Sequence, residues 1–213
     1  MPVRSVGGFV CAGIYPYAMT ESGLMIWSVG HSNHSFENFA ALLRAHAIEC
    51  VVDVRSYPYS RFAPHFGRED LAAQLRPLGL KYLFLGEELG GRPASEDHYD
   101  DEGHALYGLM AAEPLFGAAI ERVMRGARHY RVALMCSCGQ PQDCHRRLLV
   151  GKVLADHGVE LHHILPDGSL RLERTVSVSG SMEQPSLFEN EGAAWRSIQS
   201  VSHRQRLNTS SAA

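Results

Sequence analysis

Short apolar runs alternate with amphipathic stretches along the middle of the chain. Five runs rich in apolar and β-branched residues predict strands, at 25–30, 49–56, 80–86, 130–137 and 159–166. Helical periodicity occupies the intervals, at 35–47, 69–79, 106–129 and 145–158, with an interruption near Pro114. Strands that alternate with helices are joined by crossovers and form a parallel sheet. The pattern therefore predicts an α/β fold, a three-layer sandwich with a mostly parallel sheet of about five strands and helices on both faces.

Both ends of the chain lack this pattern. Residues 1–24 show no helical or strand period, so we expect a weakly ordered N-terminal extension, with Met25 as a candidate translation start. Residues 175–213 contain nine Ser among 39 residues, a composition that predicts a flexible C-terminal tail. The α/β domain is therefore assigned to residues 25–174.

Composition excludes several classes of protein. The 20 basic and 23 acidic residues give a net charge of −3, so any contact with nucleic acid must come from a local patch. The five cysteines are odd in number and no cleavable signal is recognisable, which together predict a reducing cytoplasm. Because no apolar stretch reaches the roughly 18 residues of a membrane span, we expect no membrane partner.

Polar and cationic residues follow four of the predicted strands directly. In open parallel sheets, ligands bind beyond the carboxyl ends of the strands, so we expect these residues to meet at one rim. The arrangement predicts a cationic pocket for a phosphate or another anion. Its candidate anion-binding residues are His31, Ser32, Asn33, Arg55, Ser56, Arg61, Arg92 and Arg146.

Each of these groups also has a purely structural interpretation. Residues 31–33 can cradle an anion with free N–H groups or form a capped strand-to-helix turn. Asp53 and Arg55 can form an ion pair that holds a loop, or Arg55 can bind a substrate oxyanion while Asp53 orients it or acts as a base. Aromatic residues around Arg61 suit stacking on nucleobases or packing on the domain.

The cysteine-rich segment after the fourth strand is the most informative. Cys136 ends an apolar strand, and Cys144 begins a helix, where the dipole lowers a thiol pKa. A thiolate there would use His145 as its base or Arg146 as its charge partner. The candidate catalytic residues are Asp53, Cys136, Cys144 and His145. Zinc held by Cys136, Cys138, Cys144 and His145 is an alternative, although C-x-C-x5-C-H is not the paired spacing of common zinc modules. A buried, structural Cys136 is a third interpretation, and we predict no metal or other cofactor.

Four motifs, VGHSNHSFENF, DVRSYPYSRFAPHF, YLFLGEELGGR and LMCSCGQPQDCHRRLL, together resemble the DUF488 family, a domain of unknown function. The resemblance covers roughly residues 26–166 and implies an α/β fold, a bacterial or archaeal cytoplasmic setting and no settled activity. Cys138 stands where the family is expected to vary, often with an acidic residue, which argues against zinc. The signature positions that the resemblance implies are His31, Ser32, Asn33, Asp53, Arg55, Ser56, Pro58, Ser60, Arg61, Gly90, Gly91, Arg92, Cys136, Cys144, His145 and Arg146.

A second motif lies in the predicted tail. The segment Gln184-Pro185-Ser186-Leu187-Phe188 resembles the pentapeptide by which many bacterial replication and repair proteins bind the sliding clamp. Such peptides insert two apolar side chains into a preformed pocket while the Gln fixes the register. Gln184, Leu187 and Phe188 are therefore predicted to bind a partner, and docking of this segment on its own domain is the alternative.

Three functions compete at this point. The leading hypothesis is an enzyme that acts on nucleic acid or a nucleotide, associated with DNA repair, through an arginine-lined pocket. The second is a sulfur-transfer or other thiol-dependent enzyme for small molecules, and the third is a non-enzymatic module recruited to the sliding clamp. Both enzymatic hypotheses require the guanidinium of Arg55 and the sulfur of Cys136 to share one pocket.

Overall fold

A six-stranded sheet forms the middle layer of the domain in a computed structural model, which describes residues 23–59, 61–175 and 195–201. The order of the strands across the sheet is β3-β2-β4-β1-β5-β6. The first five strands pair in parallel, and β6 is antiparallel to β5. The strands are β1 (Met25–Gly30), β2 (Cys50–Asp53), β3 (Lys81–Phe84), β4 (Val132–Cys136), β5 (Glu160–Ile164) and β6 (Leu170–Leu172). The mostly parallel α/β sheet is confirmed, and the additional strand β6 is a short edge strand with no buried residue to create an apolar run.

Six α-helices occur in the described part of the chain. They are α1 (Phe36–Ala45), α2 (Arg68–Leu75), α3 (Gly86–Leu89), α4 (Tyr107–Ala112), α5 (Pro114–Ala127) and α6 (Lys152–Asp156). Ser35 caps α1 by accepting a hydrogen bond from the N–H of Asn38 at 3.3 Å. Pro114 opens α5, where a missing N–H costs nothing, so the predicted interruption is the boundary between two helices. The helix predicted over 145–158 begins instead with a π-helical segment, Arg146–Gly151, that runs into α6.

Two hydrophobic cores lie on opposite faces of the sheet. On one face, Phe39 of α1 and Leu71 of α2 pack in a cluster with Val51 and Met135 of the sheet. The other cluster joins Val52 and Leu134 of the same strands to helices α4, α5 and α6. Alternate residues of a strand point to opposite faces, so β2 contributes Val51 to one core and Val52 to the other. The three-layer arrangement is thereby confirmed.

The strand order brings the carboxyl ends of β1, β2 and β4 side by side. Gly30 at the end of β1 is in register with Cys136 at the end of β4. On the other side of β4, Asp53 at the end of β2 is in register with Met135. A Cβ atom at Gly30 would lie 1.8 Å from the carbonyl oxygen of Cys138, so only glycine allows the chain beyond β4 to pass this close.

Part of the predicted C-terminal tail packs on the domain. Trp195 donates a hydrogen bond from its indole to the carbonyl of Leu148 at 2.9 Å, and the N–H of Ser197 donates to the carbonyl of Ala105 at 2.8 Å. Residues 1–22 and the clamp-like segment 184–188 lie outside the described residues. Among the helices that the structure describes, none has the length and apolar character needed to traverse a bilayer.

Candidate active site

Three thiols meet where β4 leaves the sheet. The sulfur atoms of Cys136, Cys138 and Cys144 all lie within 4.8 Å of one another. Cys136 and Cys144 are buried, whereas Cys138 lies on the exposed loop between them. The described cysteines are free, so this cluster holds three thiol groups and no disulfide.

The imidazole of His145 closes one side of this thiol cluster. Its Nδ1 lies 3.8 Å from the sulfur of Cys136 and 3.9 Å from that of Cys144. Its Nε2 lies 2.7 Å from the carbonyl oxygen of Val54. Because a carbonyl can only accept a hydrogen bond, Nε2 carries the proton and Nδ1 of the neutral ring is free to take a proton from a thiol.

The surroundings shift the pKa values of these thiols in different directions. Hydrogen bonds from Cys138 and Cys144, with the charge of His145, lower the pKa of Cys136 well below its ordinary value despite its burial. Burial and the hydrogen bond to Cys136 raise the pKa of Cys144 to about 12. Burial alone would lower the pKa of His145, but the Cys136 thiolate raises it. The expectation that the start of a helix lowers the pKa of Cys144 is therefore wrong, because burial opposes the charged form.

A buried ion pair stands beside the thiols, at the end of β2. Arg55 donates from Nε to one oxygen of Asp53 at 2.9 Å and from a terminal nitrogen to the other at 2.6 Å. The hydroxyl of Tyr82 donates to Asp53 at 2.7 Å, so this carboxylate, fully buried, is engaged on both oxygens. Asp53 thus orients Arg55. Because both of its oxygens already accept hydrogen bonds, the structure does not support Asp53 as the general base.

His31 links this ion pair to the thiols. Its backbone N–H donates to the carbonyl of Cys136 at 2.9 Å, and its Nε2 accepts from Arg55 at 3.2 Å. Its ring stacks on Phe66 with centroids 4.2 Å apart. Burial and the charge of Arg55 lower the pKa of His31 from 6.5 to about 4, so the ring is neutral near neutral pH. The structure therefore brings Arg55 and the strand end that carries Cys136 to the same rim, joined through His31.

The two central arginines are engaged by the protein itself. Arg55 is 5% exposed, and besides Asp53 and His31 its guanidinium donates to the carbonyl of Phe66 at 2.8 Å. Arg146 is fully buried and donates to the carbonyls of Cys138 and Gly139. Both were candidates for anion binding, and the structure gives both a role in holding loops of the rim.

The remaining candidate anion-binding residues are more accessible. Asn33 and Arg61 are exposed, and Ser32, Ser56 and Arg92 are partly buried. The backbone N–H of Arg92 donates to the hydroxyl of Ser56 at 2.9 Å, which ties the loop after β3 to the loop after β2. Among the four candidate arginines, Arg61 and Arg92 are therefore more accessible to an anion than Arg55 and Arg146 are.

A separate surface groove of about 210 Å³ lies near the loop after β3 and does not open onto the thiols. Its lining includes Glu87, Glu88 and Glu113 together with the apolar side chains of Met110 and Phe116. Three carboxylates repel phosphate and other anions, so this groove is not the cationic pocket that the sequence predicts.

The three sulfurs are also the group at the rim that could hold a metal ion. Sulfurs about 2.3 Å from a zinc ion lie at separations similar to those found here, and Nδ1 of His145 faces two of them. The hydrogen bond from His145 to Val54 would orient the ring for ligation as well as for proton transfer. Zinc thus stays an alternative to the predicted metal-free site, and the geometry is compatible with it.

Sequence reasoning missed a buried network behind the thiols. Ser28 of β1 hydrogen-bonds to Nδ1 of His163 in β5 at 2.7 Å, and Nε2 of His163 lies 2.6 Å from a carboxylate oxygen of Glu173. Arg147 pairs with the other oxygen of Glu173 at 2.7 Å, and Nε of Arg146 donates to Ser28 at 3.3 Å. Polar residues inside the apolar runs 25–30 and 159–166 were the available sign, because a buried polar side chain needs a partner.

A known family matches the part of the chain that contains most of these site residues. A family described as a domain of unknown function, DUF488, matches residues 35–153, which is more than half of the chain and extends from α1 into α6. No curated protein and no solved structure matches the chain. The match confirms the family to which the four motifs point, and the chain belongs to the DUF488 family.

Proposed function

We propose that this protein is a thiol-dependent enzyme in which Cys136 attacks an electrophilic sulfur atom of a small molecule. The observation that carries the proposal is the position of the Cys136 sulfur, 3.8 Å from Nδ1 of His145 and within 4.8 Å of two further thiols. A nucleophile beside a base that a third group orients is the arrangement found in covalent catalysis. Here the carbonyl of Val54 is the orienting group.

The choice of sulfur as the attacked atom rests on the composition of the cluster. Acyl or alkyl transfer needs one nucleophile and a base, and gains nothing from a second and third thiol. Exchange of sulfur–sulfur bonds uses neighbouring thiols directly, because each can attack the bond that another has formed. The close approach of Cys138 and Cys144 to Cys136 therefore favours a disulfide or a persulfide as the substrate class.

The proposed step conserves atoms and charge. The Cys136 thiolate attacks the terminal sulfur of a persulfide R–S–SH, a new sulfur–sulfur bond forms, and the bond in the donor breaks. The leaving thiolate R–S⁻ takes the electron pair, and Cys136 becomes a persulfide. His145, charged while Cys136 is a thiolate, can give its proton to the leaving group.

Labelling with a persulfide donor tests the proposal. The full chain is incubated with glutathione persulfide at neutral pH, and peptides are examined by mass spectrometry for the added mass of one sulfur atom. Sulfide is measured in the same sample. We expect Cys136 of the unsubstituted chain to react, with the added sulfur either found on that residue or released from it as sulfide, and C136S to show neither. Cys50 lies at the start of β2, and its burial raises its pKa, so C50S is the matched control and should label like the unsubstituted chain. Absence of both added sulfur on Cys136 and released sulfide would refute the function.

A second candidate follows from the loop after β2. Tyr57, Tyr59 and Phe62 are 53%, 63% and 94% exposed, and Arg61 lies among them. Exposed aromatic rings and arginines bind single-stranded nucleic acid by stacking and by phosphate contacts. We propose, as the second candidate function, that this surface binds a nucleic-acid or nucleotide substrate.

Oligonucleotide binding separates the two candidates. Fluorescence anisotropy with a short single-stranded RNA and DNA, at two salt concentrations, should show affinity that falls with salt if phosphates are bound. R61A should weaken such binding several-fold. R122A, which removes an exposed arginine of α5, should not. If no oligonucleotide binds at moderate salt, the nucleic-acid candidate is refuted and only the small-molecule candidate remains.

A further inference from the structure

Cys138 has no function in the step proposed above, yet it is the member of the thiol cluster best placed to act next. We infer that Cys138 is a second catalytic thiol, which attacks Cys136 once Cys136 carries a sulfur atom and forms a Cys136–Cys138 disulfide. The inference rests on the proposed function and extends it. It assigns the site a reductive outcome, in which the transferred sulfur leaves as sulfide.

Exposure distinguishes Cys138 from Cys144. Cys144 is 1% exposed and sits where the chain enters the π-helical segment, with its sulfur 3.8 Å from Arg146 and 3.9 Å from His145. Cys138 belongs to the exposed loop, where Arg146 holds its backbone carbonyl and its side chain reaches solvent. Its side chain is therefore the one that can rotate toward Cys136 without disturbing packed neighbours.

Distance allows the bond. A disulfide needs sulfurs about 2 Å apart, so atoms within 4.8 Å must approach by less than about 3 Å, which a side-chain rotation can supply. The bond would close across the single residue Ser137. A ring this small is strained, and strained disulfides are the ones that are readily reduced in turnover.

The step balances as follows. The Cys138 thiolate attacks the γ sulfur of the Cys136 persulfide, the sulfur–sulfur bond formed in the first step breaks, and hydrosulfide leaves with the electron pair. The Cys136–Cys138 disulfide is then reduced by a low-molecular-weight thiol. Two molecules of that thiol are oxidised to their disulfide, and both cysteines return to thiols.

Product analysis after a single turnover tests the inference. The full chain, freed of other reductants, is mixed with glutathione persulfide, and released sulfide is measured while the cysteine linkages are mapped by mass spectrometry. We expect a Cys136–Cys138 disulfide and prompt release of sulfide. C138S should retain the Cys136 persulfide and release sulfide at least tenfold more slowly, while C50S should behave like the unsubstituted chain.

Three results would overturn the inference. The first is a Cys136–Cys144 disulfide with normal sulfide release in C138S, which would give the role to Cys144. The second is a stable Cys136 persulfide in the unsubstituted chain, which leaves the proposed function intact and removes only the second step. The third is zinc bound stoichiometrically to the purified protein through these thiols, because ligated sulfurs cannot turn over. A chain that neither carries sulfur on Cys136 nor releases sulfide would remove both proposals together.

Discussion

Gly91 illustrates how a single residue controls the candidate nucleophile. A Cβ atom at this position would lie 2.6 Å from the ring carbon of His145 and 2.7 Å from its Cβ. The ring cannot retreat, because its Nε2 is bonded to the carbonyl of Val54. Glycine is therefore required here for close packing against the base of Cys136.

Gly91→Ala should displace His145 and weaken its contact with Cys136. We expect alkylation of Cys136 by iodoacetamide, near neutral pH, to slow by roughly tenfold, the effect of a one-unit rise in thiol pKa. Gly108→Ala in α4 is the matched control, since nothing lies within 4 Å of its added Cβ and alanine favours a helix. Equal alkylation rates in the two variants would show that His145 does not set the reactivity of Cys136.

The lowered pKa of His31 predicts that the folded protein loses stability in acid. Its pKa is about 4 in the folded protein and 6.5 in an unfolded chain, so protonation favours unfolding. The contribution is complete above pH 6.5 and is lost as the pH falls toward 4. Between about pH 8 and about pH 5, this one residue should cost roughly 2 kcal/mol of unfolding free energy.

Urea unfolding at those two pH values checks the prediction for His31. The variant His31→Gln keeps a side chain of similar size without a titrating ring, so its stability should fall less between the two pH values. Acid effects of other groups occur in both proteins and cancel in the comparison. The same decrease in both proteins would contradict a lowered pKa for His31.

At the scale of elements, the loop between β4 and the π-helical segment depends on Arg146. This buried guanidinium donates to the carbonyls of Cys138 and Gly139 and to the hydroxyl of Ser28. The network of Ser28 with His163 and Glu173 then connects the loop to β5 and to the segment after β6. Hydrogen bonds thus hold the loop of the thiol cluster from behind.

Arg146→Lys should loosen this loop. A single ammonium cannot reproduce the fork of the guanidinium, so at least one buried carbonyl loses its donor. We expect the unfolding free energy to fall by about 2 kcal/mol in urea titration. Arg44→Lys, at an exposed position of α1, should change it by less than about 0.5 kcal/mol. A loss no larger than that of the control would mean that Arg146 does not hold the loop.

At the scale of the whole molecule, the segment 195–201 completes one face of the domain. The ring of Trp195 meets that of Tyr107 edge-on, with centroids 6.1 Å apart, and Lys152 lies over it at 5.5 Å. Ser197 is 4% exposed and exchanges hydrogen bonds with Ala105. The chain therefore returns to its own core after the segment that carries the clamp-like motif.

Trp195→Ala should destabilise the whole domain. The variant loses the hydrogen bond to Leu148 and the contact with Tyr107, for which we expect about 2 kcal/mol in urea unfolding. Ile198→Ala removes a side chain of the same segment that is 42% exposed and should cost well under 1 kcal/mol. If both variants unfold like the unsubstituted chain, the segment does not contribute to stability.

The order of elements was predictable because hydrophobic periodicity reports directly on which face of a strand or helix is buried. The runs that predict β1, β2, β4 and β5 all contain these strands, and Pro114 marks the boundary between α4 and α5. Strand β6 escaped prediction because three residues, none of them buried, are too few to form a recognisable apolar run. The tail was harder to predict because Trp195 and Ser197 acquire their partners only from distant residues.

The position of the site was predictable from residue types at the ends of strands, but the contacts of its side chains were not. The sequence alone determined that His31, Arg55, Cys136 and His145 follow strands of one parallel sheet, because such ends share an edge. Tertiary structure decided that Asp53 and Phe66 engage Arg55, that loop carbonyls engage Arg146, and that three thiols meet beside His145. The physical reason is that hydrogen-bond saturation and burial depend on neighbours far apart in the chain, which the order of residues does not specify.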